Sequence, residues 1–161
     1  MQRRALTRAR ARAQGLLRAR RRVDDGRHQP HPGVQNFIPP GNVRDQAAAL
    51  RIVDQLLDAQ PWRSDRREAW RAILHRLVLG MDWGSGLVTA LTAVRLAAAG
   101  DRATRTVSRV IAWAVEVGLI VVAEKAASPE FLGSVHGRTP TYALYRPPSL
   151  PPDEPQEDAQ V

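Results

Sequence analysis

Two glycines bracket the segment that most narrows what this chain can fold into. Between Gly100 and Gly118 runs "DRATRTVSRVIAWAVEV", preceded by the short Leu-Ala run "LTAVRLAAA" and followed at once by "LIVVAEK". From Arg102 to Glu116, the residues Val107, Val110, Ile111, Ala114 and Val115 fall at the i, i+3, i+4, i+7, i+8 positions that build one apolar face of a helix. At about 100° per residue, Arg105, Arg109 and Ala112 lie opposite that face, with Arg102 and Ser108 beside them. Glu116 shares the exposed side at the far end. The segment therefore predicts two short helices joined at a glycine, the second basic toward its N-terminus and running straight into a strand.

The rest of the chain supplies what such a pair must pack against. A first helix is expected over about Val43 to Ala59, with Leu50, Val53, Leu56 and Leu57 at helical spacing, Asn42 as cap and Pro61 marking its end. A second helix begins after Ser64, taken as N-cap, with Asp65 and Glu68 in the first turn and Trp70, Ile73, Leu74, Leu77 and Val78 as its buried stripe. "GMDWGSG" reads as a turn and "LVTA" as a single edge strand. Thr92 then caps a third helix that Gly100 closes. Leu119 to Lys125 is β-branched enough for a strand, and Arg138 to Arg146 is its hairpin partner, with Pro140 at the entry. Trp113, bordering both faces of the basic helix, is expected to pack under the hairpin. The fold class is thus mainly α with a small β-hairpin, over residues 42–147.

Charge is concentrated outside that body. The chain of 161 residues carries a net charge of +8, and 23 of its 24 basic residues are arginine, a bias that points to a GC-rich bacterial source. Residues 1–27 hold ten arginines against Asp24 and Asp25. Arg3, Arg4, Arg8, Arg10, Arg12, Arg18, Arg20, Arg21 and Arg22 have few large apolar neighbours, so the segment predicts a flexible basic arm that follows a polyanion such as a nucleic-acid backbone. "GRHQPHPGVQNFIPPGN" reads as a Pro/Gly linker, which makes residues 1–41 arm and linker. Residues 148–161 read as a disordered, acidic, proline-rich tail.

The order helix, short strand, helix, turn, helix and hairpin resembles the winged helix-turn-helix DNA-binding domain. The resemblance rests on "LTAVRLAAAGDRATRTVSRVIAWAVEVGLI". With "GMDWGSGLVTALT" before it and "GRTPTYALYRP" after it, the pattern extends over about residues 64–147 and is similar to domains of replication proteins from actinobacterial plasmids and other mobile elements. It implies a recognition helix over about 103–117 in the major groove and a wing over about 119–146 on the backbone. On that reading Arg105 and Arg109 meet guanine edges, while Arg102, Thr104, Thr106 and Ser108 meet phosphates or base edges. Lys125, His136 and Arg138 are the wing candidates. Such domains usually carry Ser at the start of the recognition helix; Ala103 stands here instead, leaving Thr104 or Asp101 to cap it.

The implied function is sequence-specific binding of double-stranded DNA, in replication initiation or transcriptional regulation. The alternative is a winged-helix protein-interaction module within a replication or segregation complex. Other expected partners are replication or transcription proteins and a second copy of the chain. No enzyme is expected. His28, His31, His75 and His136 show no ligand constellation, so no metal or other cofactor is expected. "GMDWGSG" lacks the Lys-Ser or Lys-Thr of a phosphate loop. Tyr142 and Tyr145 lie on a strand without the paired histidines that a nucleophilic tyrosine would need, and read as packing residues. With no cysteine and no apolar run of membrane-spanning length, a cytoplasmic, nucleoid-associated protein is expected.

Overall fold

The computed structural model describes residues 38–89, 91–125 and 139–152. Four helices and one two-stranded antiparallel sheet follow one another as α1 (Gln46–Asp58), α2 (Ser64–Leu79), α3 (Ala93–Gly100), α4 (Thr104–Glu116), β1 (Ile120–Glu124) and β2 (Thr141–Leu144). The coarse expectation, mainly helical with one small hairpin-like sheet, holds.

Helix α1 starts three residues later than expected. Its cap is Asp45, whose carboxylate accepts from the amides of Ala47 and Ala48, two donors that the first turn leaves without backbone partners. Asn42 turns instead to the carbonyl of Ser85, 3.1 Å away. The buried side of α1 is Ala49, Ile52, Val53, Leu56 and Leu57, with Leu50 half-buried. In α2, Ser64 is the first helical residue and Arg63 occupies the cap position without a side-chain bond. The anticipated stripe of Trp70, Ile73, Leu74, Leu77 and Val78 is buried throughout. Burying such a side chain contributes about 1.5–3 kcal/mol, so α2 is the post around which the body assembles.

Helix α3 begins on Thr92, whose hydroxyl accepts from the Arg95 amide as expected. Its end differs from the simple glycine stop. Gly100 is the last helical residue, and the left-handed position falls on Asp101 at φ 50°. A short polar side chain tolerates that conformation. Gly100 serves another purpose: a Cβ there would lie 2.6 Å from Ile73 Cγ1 and 3.0 Å from the Ala69 carbonyl. The glycine lets α3 seat directly on α2.

The sheet is wider in effect than its two strands. β1 pairs antiparallel with β2 in the register Ile120 to Leu144, Val121 to Ala143, Val122 to Tyr142, then Glu124 to Thr141 across an irregularity at Ala123. On the other edge of β2, Val88 exchanges two 2.9 Å hydrogen bonds with Tyr142. The expected "LVTA" strand thus reduces to isolated bridges at Val88, and β2 lies between Val88 and β1. All four β2 residues are buried.

Packing reaches past the expected limits of 42 and 147. Ile38 packs beside Leu87, Ala143 and Tyr145, and Leu150 packs against the main core. Pro148 lies where a Cβ on Gly118 would come within 3.1 Å, and Gly118 has a φ of +85°. The basic arm and most of the linker and tail lie outside the described residues.

Candidate nucleic-acid interface

Helix α4 carries the predicted contact residues, and its own core face decides how far they project. Val107, Val110 and Ala114 are buried, Ile111 is half-buried and Val115 is 44% exposed. The apolar stripe is therefore narrower than the five-residue pattern indicated: Val115 points to solvent, because nothing described packs over the last turn on that side. Arg102, Thr104, Arg105, Ser108 and Arg109 are exposed and Thr106 is half-buried.

The turn before α4 fixes where these side chains start. The Arg102 amide bonds back to the Ala97 carbonyl at 3.0 Å and the Asp101 amide to Ala98 at 3.3 Å, closing α3 with a left-handed cap. Arg102 then curls its guanidinium onto the Asp101 carbonyl, Nη1 donating at 3.0 Å. It braces the turn. Neither Thr104 nor Asp101 caps α4: Ala103 holds the cap position with extended backbone, and no side chain accepts from the first turn. Among the described residues, the Thr104 and Arg105 amides remain open to an outside acceptor, and no acidic residue stands in that turn.

The hydrogen bonds of Ser108 and Thr106 are local. Ser108 Oγ donates to the Thr104 carbonyl at 3.4 Å, and the Thr106 amide donates to Ala103 at 2.9 Å. Arg105 and Arg109 are different: among the described residues neither makes an ion pair or a side-chain hydrogen bond. Glu116, on the same helix, lies about 16 Å along the axis from Arg105 and about 10 Å from Arg109. Lys125 is exposed just beyond β1. His136, Arg138 and the arm arginines Arg3, Arg4, Arg8, Arg10, Arg12, Arg18, Arg20, Arg21 and Arg22 lie outside the described residues.

Trp113 is part of an aromatic trio. Its ring meets Trp62 at 4.9 Å and Trp70 at 5.7 Å, and these two meet each other at 4.8 Å, all edge to face. The trio ties α4 to α2 and to the connection before it. Arg66 lies over two of the rings, its guanidinium carbon 4.3 Å from the Trp62 centroid and 4.5 Å from that of Trp70. Sequence reasoning missed this site because Trp62, Trp70 and Trp113 belong to three separate segments. The available signal was Trp70 repeating the Arg66 position one turn on.

The remaining polar clusters are cross-ties. His75 Nε2 lies 2.7 Å from Asp54 Oδ1, and Arg71 bridges Asp54 and Asp58, joining α2 to α1. No group of three or more metal-ligating side chains occurs among the described residues. Burial pushes the Tyr142 hydroxyl up to about 12, which opposes the ionised form a nucleophile requires. Tyr145 donates its hydroxyl to the Pro39 carbonyl at 2.5 Å. The turn residue Trp83, read from sequence only as part of "GMDWGSG", is 79% exposed.

The chain matches no protein-family model, no curated protein and no solved structure. No helix among the described residues is long and apolar enough to cross a membrane.

Proposed function

We propose that this chain binds double-stranded DNA sequence-specifically, using a winged helix-turn-helix in which α3 and α4 form the helix-turn-helix and β1 and β2 the stem of the wing. The observation that carries the reading is the pair Arg105 and Arg109, one turn apart on an exposed helix face and without partners among the described residues. An arginine fork in that state is free to bond guanine O6 and N7, and the uncapped first turn of α4 adds open amides for a phosphate. The bridge of Val88 to the far edge of β2 supports the winged plan, since it gives the three-segment sheet order that such a domain uses. The chain acts, on this reading, in replication initiation of a bacterial mobile element or in transcriptional regulation. It is not an enzyme, and its place is the cytoplasm, on the nucleoid.

Selection of bound sequences from a random duplex pool tests this. Enrichment of a motif is the expected result, and failure to enrich any motif removes the specific-binding reading. Deleting residues 1–27 should then weaken all duplexes alike. If the arm supplies three or four phosphate contacts, the slope of log K against log salt should flatten by roughly three units.

A protein-docking module is the second reading, favoured by one observation: Trp83 and Leu79 expose large apolar surface near the C-terminal end of α2. Saturable duplex binding at physiological salt that survives Trp83→Ala argues against it.

A further inference from the structure

We propose that Arg66 is a preorganised phosphate-binding residue, set on α2 to grip the DNA backbone beside the groove that α4 enters. The inference rests on the DNA-binding reading and adds to it a contact outside the helix-turn-helix and wing.

The starting point is how differently the arginines around the start of α2 are used. Arg63 pairs with Asp65 at 3.8 Å. Arg67 donates two 2.9 Å bonds, to the carbonyls of Gln60 and Trp62, and so fixes the connection between α1 and α2. Arg71 is held by Asp54 and Asp58. Arg66 alone among these four has no carboxylate or carbonyl partner among the described residues. It is exposed, and its guanidinium carbon is held over the rings of Trp62 and Trp70. The nearest acid in sequence, Asp65, is engaged by Arg63, and Glu68 is exposed two residues on.

A guanidinium laid on an aromatic face keeps its in-plane N–H donors directed outward, where they match two oxygens of a phosphate. The rings also remove most of the rotamer freedom that a surface arginine would otherwise lose on binding. The platform is itself fixed, because Arg67 holds the Trp62 backbone while Trp113 and Trp70 hold its ring. A cation placed so firmly without an anion is built to receive one.

Position selects the anion. Arg109 and Trp113 are one turn apart on α4, with neighbouring side chains of this kind about 5–6 Å apart at Cβ. Trp113 is 5.7 Å from Trp70, whose ring is 4.5 Å from Arg66. The path through these contacts puts Arg66 at an offset from Arg109 of no more than on the order of 20 Å. A major groove about 12 Å wide, entered by Arg105 and Arg109, places a phosphate strand at that offset.

The test uses the full chain, a duplex carrying its selected sequence and a scrambled duplex, with affinity followed by fluorescence anisotropy across a salt series. Arg66→Ala should weaken both duplexes about tenfold and reduce the salt slope by about 0.9. Arg66→Lys keeps the charge but not the planar stack, and should lose about threefold. Arg51→Ala, the same charge change on exposed α1, sets the background. Melting curves, read alongside, restrict the comparison to temperatures where every variant is folded. If Arg66→Ala loses no more affinity and slope than Arg51→Ala, the proposal is wrong while the DNA-binding reading stands. If Arg66→Lys equals the wild type, stacking plays no part and the preorganised grip is refuted. If the unaltered chain binds neither duplex saturably, the DNA-binding reading fails and takes this proposal with it.

Discussion

Helices α2 and α4 begin alike, yet Arg67 and Arg71 of the first are used differently from Arg105 and Arg109 of the second. Both lack a side-chain cap and both carry arginines in their first half. On α2, Arg67 donates to the carbonyls of Gln60 and Trp62 and Arg71 pairs with Asp54 and Asp58, so these two hold α2 to α1 and to the connection between them. On α4, Arg105 and Arg109 have no such partners among the described residues. Residue type alone does not separate an arginine that ties elements together from one whose donors stay open; the accounting of its donors does. The core faces differ in the same sense. α2 buries six residues over sixteen and α4 three over thirteen, so α2 is anchored and α4 is displayed.

The sharpest way to break this comparison is to damage the anchored side of the displayed helix. Val110→Asp places an unpaired carboxylate at a fully buried position and should cost about 4 kcal/mol or more, unfolding the body and abolishing any binding with it. Circular dichroism checks this, and a native-like melt would mean that α4 faces the other way. Arg67→Ala removes a charged donor from two carbonyls, with an expected loss of about 2 kcal/mol and a fall in Tm of about 8–15 °C, while DNA specificity is unchanged.

Arg105→Ala and Arg109→Ala should do the reverse. Tm stays within a degree or two, and discrimination between selected and random duplex falls by about 1–3 kcal/mol for each, read by competition binding. A loss of stability without a loss of discrimination would place these two with Arg67.

Alkaline titration probes the sheet. The Tyr142 hydroxyl, ordinarily near 10, is pushed up to about 12 by burial, so the folded state favours the neutral form. Its contribution is complete below pH 10 and is lost as pH rises toward 12, by about 3 kcal/mol at most. Tyr142→Phe should flatten that decline. The smallest effect belongs to Asp82, whose carboxylate is lowered by the Ser85 amide and hydroxyl and by the Gly84 amide, against a small opposing effect of burial. That stabilisation is present above the ordinary carboxylate range and fades as pH falls through the lowered value. Asp82→Asn should leave a slightly lower Tm at pH 7 and a shallower dependence on acid.

How much of this was legible in the sequence follows from the range of each interaction. The buried stripe of α2, the Thr92 cap and the end of α4 before Gly118 are local patterns, and the sequence predicts them. The left-handed residue at Asp101 rather than Gly100 was not legible, because what reserves Gly100 for close approach is Ile73 on another helix. The exposure of Val115 and the meeting of Trp113 with Trp62 and Trp70 depend on which surfaces the rest of the chain covers. The Arg66 site needs Trp62 and Trp70 to converge across a loop, and no periodicity encodes that.

The central place of β2 has a consequence in time as well as in space. Its backbone receives Val43 at Leu144, Val88 at Tyr142 and β1 along its length, and Tyr145 just beyond it bonds back to Leu119. During synthesis, or on refolding, the four helices can form from nearer neighbours, yet three separated stretches wait on one late strand. Closing that strand is a chain-entropy barrier set by distance along the sequence rather than by helix propensity. Folding of this body should therefore be gated by the arrival of four residues, Thr141 to Leu144. A nascent chain stopped before them would hold helices beside extended segments, at Val88 and β1, whose edges are still open to other strands.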